Sequence, residues 1–121
     1  MDEPLSQELL SLLGNDDFFT LVDTVGGQRF YVPSNFLQLL EKLAVSPEGA
    51  TLLTNRYGGA TLRIPLARDF IAATLKSRKY SNAEIAAHLR ITESGVEKLF
   101  KRCKRQGADN PFIQNQLDLF V

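Results

Sequence analysis

The stretch that decides the fold runs from residue 80 to residue 105 and has the sequence YSNAEIAAHLRITESGVEKLFKRCKR. Ser81, followed three residues later by Glu84, forms a capping box, which predicts a helix over residues 82–89. Ile91 and Thr92 then offer a tight turn and a second N-cap, with a further helix over residues 94–105. The stretch therefore predicts a helix-turn-helix.

The apolar residues of this stretch fall at spacings that let two short crossed helices bury one common seam. They are Ile85, Ala86, Leu89, Ile91, Val96 and Leu99. The outer face of the second helix is left with Glu93, Ser94, Glu97, Lys98, Lys101 and Arg102. A helix presented in this way fits the major groove of DNA. The alternative is a pair of packed helices in an all-α domain with no DNA-binding role.

Charge is distributed unevenly along the chain, although its 121 residues carry no net charge. Residues 1–59 have a balance of −5, whereas residues 60–106 have a balance of +7. Such asymmetry points to nucleic acid better than the overall isoelectric point does. The alternative is a solvated basic face, but the positive charge coincides with the second helix of the motif, which favours contact with phosphate.

Composition excludes several other classes of protein. No apolar run approaches the roughly 20 residues of a membrane span, and the acidic start MDEPLSQELL predicts neither a secretory signal nor a transit peptide. The single cysteine, Cys103, excludes an internal disulfide and a multi-cysteine zinc site, so we expect a cytoplasmic protein without metal or cofactor. Cys103 lies in KRCKR, where cations could lower its pKa, but an uninvolved thiol is the favoured interpretation.

An enzymatic function has little support in the sequence. The only histidine, His88, lies between Ala87 and Leu89 on the first motif helix, which favours an exposed or half-buried helix residue over a catalyst. We find no carboxylate pair, phosphate-binding glycine loop or activated nucleophile in the pattern. We therefore expect that the protein is not an enzyme.

Glycine and proline divide the N-terminal half into short elements. Pro4 to Leu13 predicts a helix that ends at Gly14. Residues 16–25, DDFFTLVDTV, are compatible with a helix or a strand. Ser46-Pro47-Glu48 predicts the start of another helix, which should end at the glycine pair 58–59.

Two further helices are expected from apolar periodicity. Ser34 is predicted to cap the first of these helices. One face of that helix is predicted to carry Phe36, Leu37, Leu40 and Leu43. The second should end near Lys79, just before the helix-turn-helix, and is marked by Leu66, Phe70, Ile71 and Leu75.

Two segments share one plan, with GGQRFYVP at residues 26–33 and GGATLRIP at residues 58–65. Each predicts a short strand between a glycine pair and a proline, with a helix on either side, and their offset is 32 residues. We interpret this as an internal duplication, although glycine pairs and X-Pro steps also recur by chance. Because a two-stranded ribbon is marginal alone, the strands should pair with each other or with a partner chain.

These elements define the expected architecture, which is mainly α with two short β-strands. Residues 1–65 form a helical and β-strand dimerisation region, and residues 66–106 form the helix-turn-helix region. Residues 107–121 form a flexible C-terminal tail.

Residues 58–105 resemble the middle operon regulator (Mor) family of phage transcription activators, which includes the late activator C of Mu-like phages. The resemblance rests on GGATLRIP, the helix through Leu75, and NAEIAAHLRITESGVEKLFKRCKR. It implies a homodimer with intertwined N-terminal portions and strands paired between subunits. It also implies a promoter-binding activator of phage or prophage origin that recruits RNA polymerase.

The chain departs from the family pattern at three places. Arg90 stands where the turn usually has glycine, and Glu97 follows Val96 where the family tends to have an aromatic residue. The strand unit at residues 26–33 is an addition to the family plan. If both strands pair within one chain, the subunit interface differs from that of the family.

The DNA-binding hypothesis divides the polar residues by role. Base edges are expected to be read by Ser94, Glu97, Lys98 and Lys101, because lysine reads guanine and glutamate accepts from cytosine. Phosphate contacts, which set the register on the duplex, are expected from Lys79, Arg90, Thr92, Arg102, Lys104 and Arg105.

The C-terminal tail carries a second pattern. The sequence QLDLF resembles the pentapeptide by which bacterial polymerases and repair proteins bind the sliding clamp, and its anchors would be Gln116, Leu117, Leu119 and Phe120. The alternative is that these apolar residues fold back on the protein or on a dimer mate. The runner-up function is therefore a protein-interaction or replication-associated module whose tail binds a sliding clamp.

Overall fold

A computed structural model describes residues 3–106, with side chains from residue 5 onward. Within these residues, six helices and a two-stranded antiparallel sheet confirm the mainly helical fold expected from the sequence. The described residues divide into two compact units, one before and one after the step from Leu66 to Ala67. The elements are α1 (Glu3–Val25), β1 (Arg29–Tyr31), α2 (Phe36–Lys42), α3 (Pro47–Tyr57), β2 (Thr61–Arg63), α4 (Arg68–Ser77), α5 (Asn82–Leu89) and α6 (Glu93–Gln106).

Helix α1 is interrupted at Gly14, whose φ of 81° and ψ of 174° are not helical. The first helical half therefore ends where the sequence predicts an end, since glycine adopts positive φ without a steric penalty. The segment 16–25, for which helix and strand were both open, continues as a helix. Phe18 and Leu21 from this second half are almost fully buried.

The first unit is built by α1 and α2, which both pack on α3. A polar contact fixes the start of α3: the Ser46 N–H and Oγ–H donate to the Asp17 carboxylate at 2.9 and 2.6 Å. Ser46 Oγ in turn accepts from the Gly49 N–H at 3.0 Å and caps the helix, as the sequence predicts. The core of the unit is apolar and includes Leu9, Phe18, Leu21, Leu39, Leu43 and Leu53.

Helix α2 differs from the prediction in its cap and its buried face. Asn35, not Ser34, is the cap, because the Asn35 Oδ1 accepts from the Leu37 N–H at 2.8 Å. Leu39 and Leu43 are buried, whereas Phe36 and Leu37 keep 41% and 59% of their surface exposed. The prediction was right for Leu43 and wrong for Phe36 and Leu37, because a seven-residue helix with apolar residues on several sides does not specify which side packs.

The two strands predicted from the repeated segments pair with each other within one chain. They are antiparallel, with Arg29 opposite Arg63, Phe30 opposite Leu62 and Tyr31 opposite Thr61. The family resemblance implies strand pairing between subunits, whereas here the two strands of one chain pair with each other. Phe30 is buried beneath the ribbon, whereas Arg29, Tyr31, Thr61 and Arg63 are exposed.

The second glycine of each pair has the same left-handed φ and the same kind of hydrogen bond in both repeats. The Gly27 N–H donates to Ile64 O and the Gly59 N–H donates to Val32 O, each at 2.8 Å. Gly27 and Gly59 have φ values of 79° and 87°, which a residue with a Cβ rarely adopts. The two donors, Gly27 and Gly59, are 32 residues apart, and so are the two acceptors, Val32 and Ile64. The sequence repeat is therefore also a structural repeat on the two sides of the ribbon.

The second unit consists of α4, α5 and α6, which pack on one another. Its core contains Phe70, Leu75, Ile85, Val96 and Leu99. Helix α4 is buried along most of its length, since every residue from Phe70 to Leu75 is classed as buried.

Across residues 3–106, no helix has both the length and the apolar character that crossing a membrane requires.

Candidate nucleic-acid interface

Helix α5 begins with the capping box that the sequence predicts. The Glu84 N–H donates to Ser81 Oγ at 3.1 Å, and the Ser81 N–H donates to Glu84 Oε1 at 2.9 Å. The hydrogen bonds from Ser81 lower the pKa of the Glu84 carboxyl below its usual value. Two orphan N–H groups of the helix are thereby satisfied, which fixes where the first helix of the motif starts.

The turn between α5 and α6 closes on an arginine. Arg90 has φ 59° and ψ 45°, the left-handed conformation for which many such turns use glycine. The Ile91 N–H donates to Ala86 O at 3.0 Å across the end of α5, and the Arg90 backbone N–H donates to Ala87 O at 3.3 Å. This pair of bonds is a Schellman motif, in which Arg90 takes the left-handed position that glycine usually occupies.

Thr92 starts the second helix of the motif. Its Oγ1 accepts from the Gly95 N–H at 2.9 Å, and the Thr92 carbonyl accepts from the Val96 N–H at 3.0 Å. The Thr92 hydroxyl is therefore engaged as the helix cap that the sequence predicts. Contact of its backbone region with phosphate remains a prediction.

Helix α6 has one buried and one exposed face. Val96, Leu99 and Cys103 are buried at i, i+3 and i+7. The side chains that point away from this buried face form a single row along the helix, at i, i+4, i+7 and i+11. All four are exposed: Ser94, Lys98, Lys101 and Arg105.

We call this row the α6 basic row. It contains three cations, and within residues 3–106 none of them makes an ion pair. Glu97 and Lys104 are also exposed and lie beside the row on the same side of α6. Lysine and arginine on one face of a helix can donate to base edges and to phosphate oxygens.

Arg102 is held differently from the other cations of α6. Its guanidinium donates to the Asp69 carboxylate at 2.7 Å, joining α6 to the first turn of α4. This hydrogen bond raises the pKa of Arg102 above its ordinary value. Nearby, the Lys76 Nζ lies 4.9 Å from the centroid of the Phe100 ring, a second link between the same helices.

Cys103 completes the seam between the helices. It is fully buried, and burial, aided by the negative charge of Asp69, raises the pKa of Cys103 to about 12. The sequence left open whether the cations of KRCKR lower the pKa of Cys103. That alternative is wrong, because burial raises this pKa instead. The spacing of Val96, Leu99 and Cys103 is the signal that could have placed this thiol in the core.

Lys79 ends the turn after α4 in the same way as Arg90 ends α5. Its φ is 70°, the Tyr80 N–H donates to Leu75 O at 3.1 Å, and the Lys79 backbone N–H donates to Lys76 O at 3.0 Å. Lys79 and Arg90 are both exposed. The two helix ends of the second unit therefore carry cations in conformations that favour glycine, a feature that composition alone does not show.

Three groups of sequence predictions have different outcomes here. The structure brings the base-reading candidates Ser94, Lys98 and Lys101 onto one row of α6, with Glu97 at its edge. The partner of Arg102 was missed, because Asp69 is 33 residues away and no local pattern signals the pair. The clamp-binding candidates Gln116, Leu117, Leu119 and Phe120 lie outside the described residues.

No protein-family model, curated protein or solved structure matches this chain. The resemblance to the Mor family therefore stays a prediction that rests on the residues quoted for it.

Proposed function

We propose that this chain is a sequence-specific DNA-binding transcription regulator. The observation that supports the proposal best is the α6 basic row, an exposed line of cations on the second helix of a capped helix-turn-helix. The opposite face of α6 is buried, so this row is the part of the helix available to a ligand. An α-helix exposed in this way fits into the major groove of DNA.

The roles within the interface follow from position. Lys98 and Lys101 lie in the middle of the α6 basic row, and with Ser94 and Glu97 they are proposed to face base edges. Arg105 and Lys104, at the C-terminal end of α6, are proposed to bind phosphate.

The exposed cations at the two turns complete the proposed phosphate contacts. Lys79 and Arg90 each follow a helix end with a left-handed backbone conformation, and both side chains are exposed. Arg102 is proposed to position α6 through Asp69 rather than to contact phosphate, because its guanidinium is already paired.

The direction of regulation comes from the family resemblance alone. It supports activation of a phage or prophage promoter with recruitment of RNA polymerase. It also supports binding as a homodimer, and symmetric operators are common for helix-turn-helix proteins. Because β1 and β2 are already paired within one chain, we propose that a dimer forms through the exposed apolar side chains of α2, Phe36 and Leu37.

Selection of bound sequences from random duplex DNA tests the proposal most directly. Purified full-length protein should enrich a defined sequence, and an inverted repeat would support the dimer. Lys98→Ala serves as the matched variant, because it changes an exposed side chain of the α6 basic row and leaves the buried face intact. Absence of any enriched sequence with the unmodified protein would rule out sequence-specific recognition.

The second candidate function is clamp binding by the tail, and the observation that favours it is the sequence QLDLF at residues 116–120. A synthetic peptide of residues 107–121 should then bind purified sliding clamp. Phe120→Ala in the peptide is the control, since it removes one anchor. A peptide that fails to bind would dispose of this candidate without affecting the DNA-binding proposal.

A further inference from the structure

We propose that the outward face of the β1–β2 ribbon is a second DNA-contacting surface, which binds the phosphate backbone of duplex DNA through Arg29, Arg63 and Lys42. This inference rests on the proposed function, because it takes DNA as the ligand of the chain. It adds a contact site in the first unit, separate from the helix-turn-helix of the second.

The central observation is that two arginines face each other across the ribbon. Arg29 and Arg63 are direct partners in the register, and both are exposed. The Ile64 N–H donates to Gln28 O, and the Val32 N–H donates to Ala60 O. These bonds identify Gln28–Ile64 and Val32–Ala60 as hydrogen-bonded pairs of the antiparallel ladder. Arg29 and Arg63 therefore form a pair without mutual hydrogen bonds, in which Cα atoms are about 4.5 Å apart and side chains come closest.

Like charges in this arrangement destabilise a ribbon unless an anion lies between them. Within the described residues, neither Arg29 nor Arg63 makes an ion pair. A phosphate group would supply the missing negative charge, and guanidinium groups bind phosphate with two parallel hydrogen bonds. The unfavourable pair is thus explained by a polyanionic ligand.

A third cation lies at the same face. The Lys42 Nζ is 5.7 Å from the ring centroid of Tyr31, which follows Arg29 on the outward side of β1. Tyr31 is 50% exposed, so its ring and hydroxyl are also accessible to a ligand. Three cations and an aromatic side chain therefore surround the outward face of one short ribbon.

The distribution of charge in the first unit supports this assignment. Residues 1–66 contain four Lys or Arg against eight Asp or Glu. Three of these four cations are Arg29, Lys42 and Arg63, and the fourth, Arg56, pairs with Glu8. An acidic unit that gathers its unpaired cations on one face presents a local positive surface despite its negative net charge.

Duplex DNA fits this surface better than a peptide does. A two-stranded antiparallel ribbon is one of the two elements that the major groove admits. The outward row offers cations and hydroxyl groups, from Thr61 and Tyr31, and these are the donors that proteins use on phosphate. An acidic peptide or a second copy of the chain is the competing occupant.

The test is the salt dependence of DNA binding, measured by fluorescence anisotropy with the full chain and a labelled 30-base-pair duplex of random sequence. Log K falls as log[KCl] rises, and each phosphate contact makes that slope steeper by about 0.9. Arg29→Gln and Arg63→Gln should each reduce the magnitude of the slope by about 0.9, and the double variant by about 1.8. Lys42→Gln should act in the same direction.

Arg56→Gln is the matched control, because it removes one positive charge from the same unit away from the ribbon face. Its slope should equal that of the unmodified protein, and circular dichroism should show that all variants are folded. Equal slopes for Arg29→Gln, Arg63→Gln and Arg56→Gln would overturn the ribbon contact while leaving the helix-turn-helix proposal intact.

Two other outcomes would also decide the matter. If the unmodified protein binds no duplex at any salt concentration, both the proposed function and this inference fail. If the double variant keeps the slope but loses a dimer that the unmodified protein forms in sedimentation, the face belongs to a second copy, and the DNA contact is overturned.

Discussion

The Arg102 guanidinium lies 2.7 Å from the Asp69 carboxylate and ties α6 to the first turn of α4. This pair separates Arg102 from Lys98, Lys101 and Arg105, whose charges are unpaired within the described residues. The cations of α6 therefore fall into two groups. Arg102 links α6 to α4, and the others are exposed and are the ones proposed to contact DNA.

Removing this ion pair should affect stability weakly and DNA binding little. Because the Arg102 side chain is 48% exposed, the pair should contribute less than about 1 kcal/mol to the free energy of unfolding. Urea denaturation of Arg102→Gln, Asp69→Asn and the double variant measures this coupling. A loss of DNA affinity for Arg102→Gln as large as that for Arg105→Ala would return Arg102 to the phosphate contacts.

Lys98→Ala and Arg105→Ala should have different effects on DNA binding. Lys98→Ala is expected to cost about 1–3 kcal/mol on the selected sequence and to relax the preference at one position. Arg105→Ala should weaken binding to all sequences alike, because phosphate contacts carry no base information. Anisotropy titrations on selected and random duplexes measure both, and equal losses for both variants on both duplexes would contradict the assignment.

Replacement of Arg90 by glycine should separate stability from binding. Its φ of 59° is unfavourable for arginine, so Arg90→Gly should raise the free energy of unfolding by about 0.5 kcal/mol. The same change removes a proposed phosphate contact. It should therefore reduce the magnitude of the slope of log K against log[KCl] by about 0.9. Thermal denaturation and anisotropy are the measurements.

The control for this experiment is Arg90→Lys, which keeps the charge and the backbone strain. Lys79→Gly, at φ 70°, should reproduce the effect of Arg90→Gly at the other helix end. If Arg90→Gly is more stable but binds DNA with an unchanged slope, Arg90 serves the turn alone.

Cys103 should be unreactive in the folded protein. Since burial raises its pKa to about 12, the thiol stays protonated at pH 8 and reacts slowly with Ellman's reagent, whereas urea exposes it. It is the only cysteine, so the labelling needs no assignment. Rapid stoichiometric labelling without urea would contradict its place in the seam.

The same shift gives stability a pH dependence. The folded pKa lies above the unfolded value, which is near 9.0, so the contribution of Cys103 is complete below that pH and is lost as the pH rises toward 12. In Cys103→Ala the part of the alkaline decline due to this thiol should disappear. Denaturation midpoints measured from pH 7 to pH 11 would show the difference.

The proposed dimer can be tested by sedimentation. Leu37 is 59% exposed on the first turn of α2, so Leu37→Glu should disrupt a dimer contact there while leaving the buried residue Leu39 untouched. Gln38→Glu is the control, because it adds the same charge to an exposed neighbour. A monomer mass for the unmodified protein at high concentration would reject the homodimer.

Local signals in the sequence gave correct element boundaries where backbone chemistry decides them. The capping box of Ser81 and Glu84 fixes the start of α5, and Ser46 with Pro47 fixes the start of α3. Side-chain packing was less predictable. Either face of α2 satisfies the apolar pattern, and only contact with α3 selects Leu39 and Leu43 over Phe36 and Leu37.

The candidate site shows the same division. Exposure of Ser94, Lys98 and Lys101 follows from helical periodicity alone, since Val96 and Leu99 must turn inward. The pairing of Arg102 with Asp69 and the cross-strand pairing of Arg29 with Arg63 join residues 33 and 34 positions apart. Such pairs depend on the tertiary path of the chain.

The sequence from residue 80 to residue 105 by itself determined two capped helices joined by a turn, the second of them basic, because caps and periodicity act within a few residues. The glycine pairs likewise determined two strands, since Gly27 and Gly59 supply turns at positive φ. Only the tertiary structure decided that these strands pair within one chain and that Arg102 is held by Asp69. Both depend on contacts between distant segments, which form when the core packs and have no local signature.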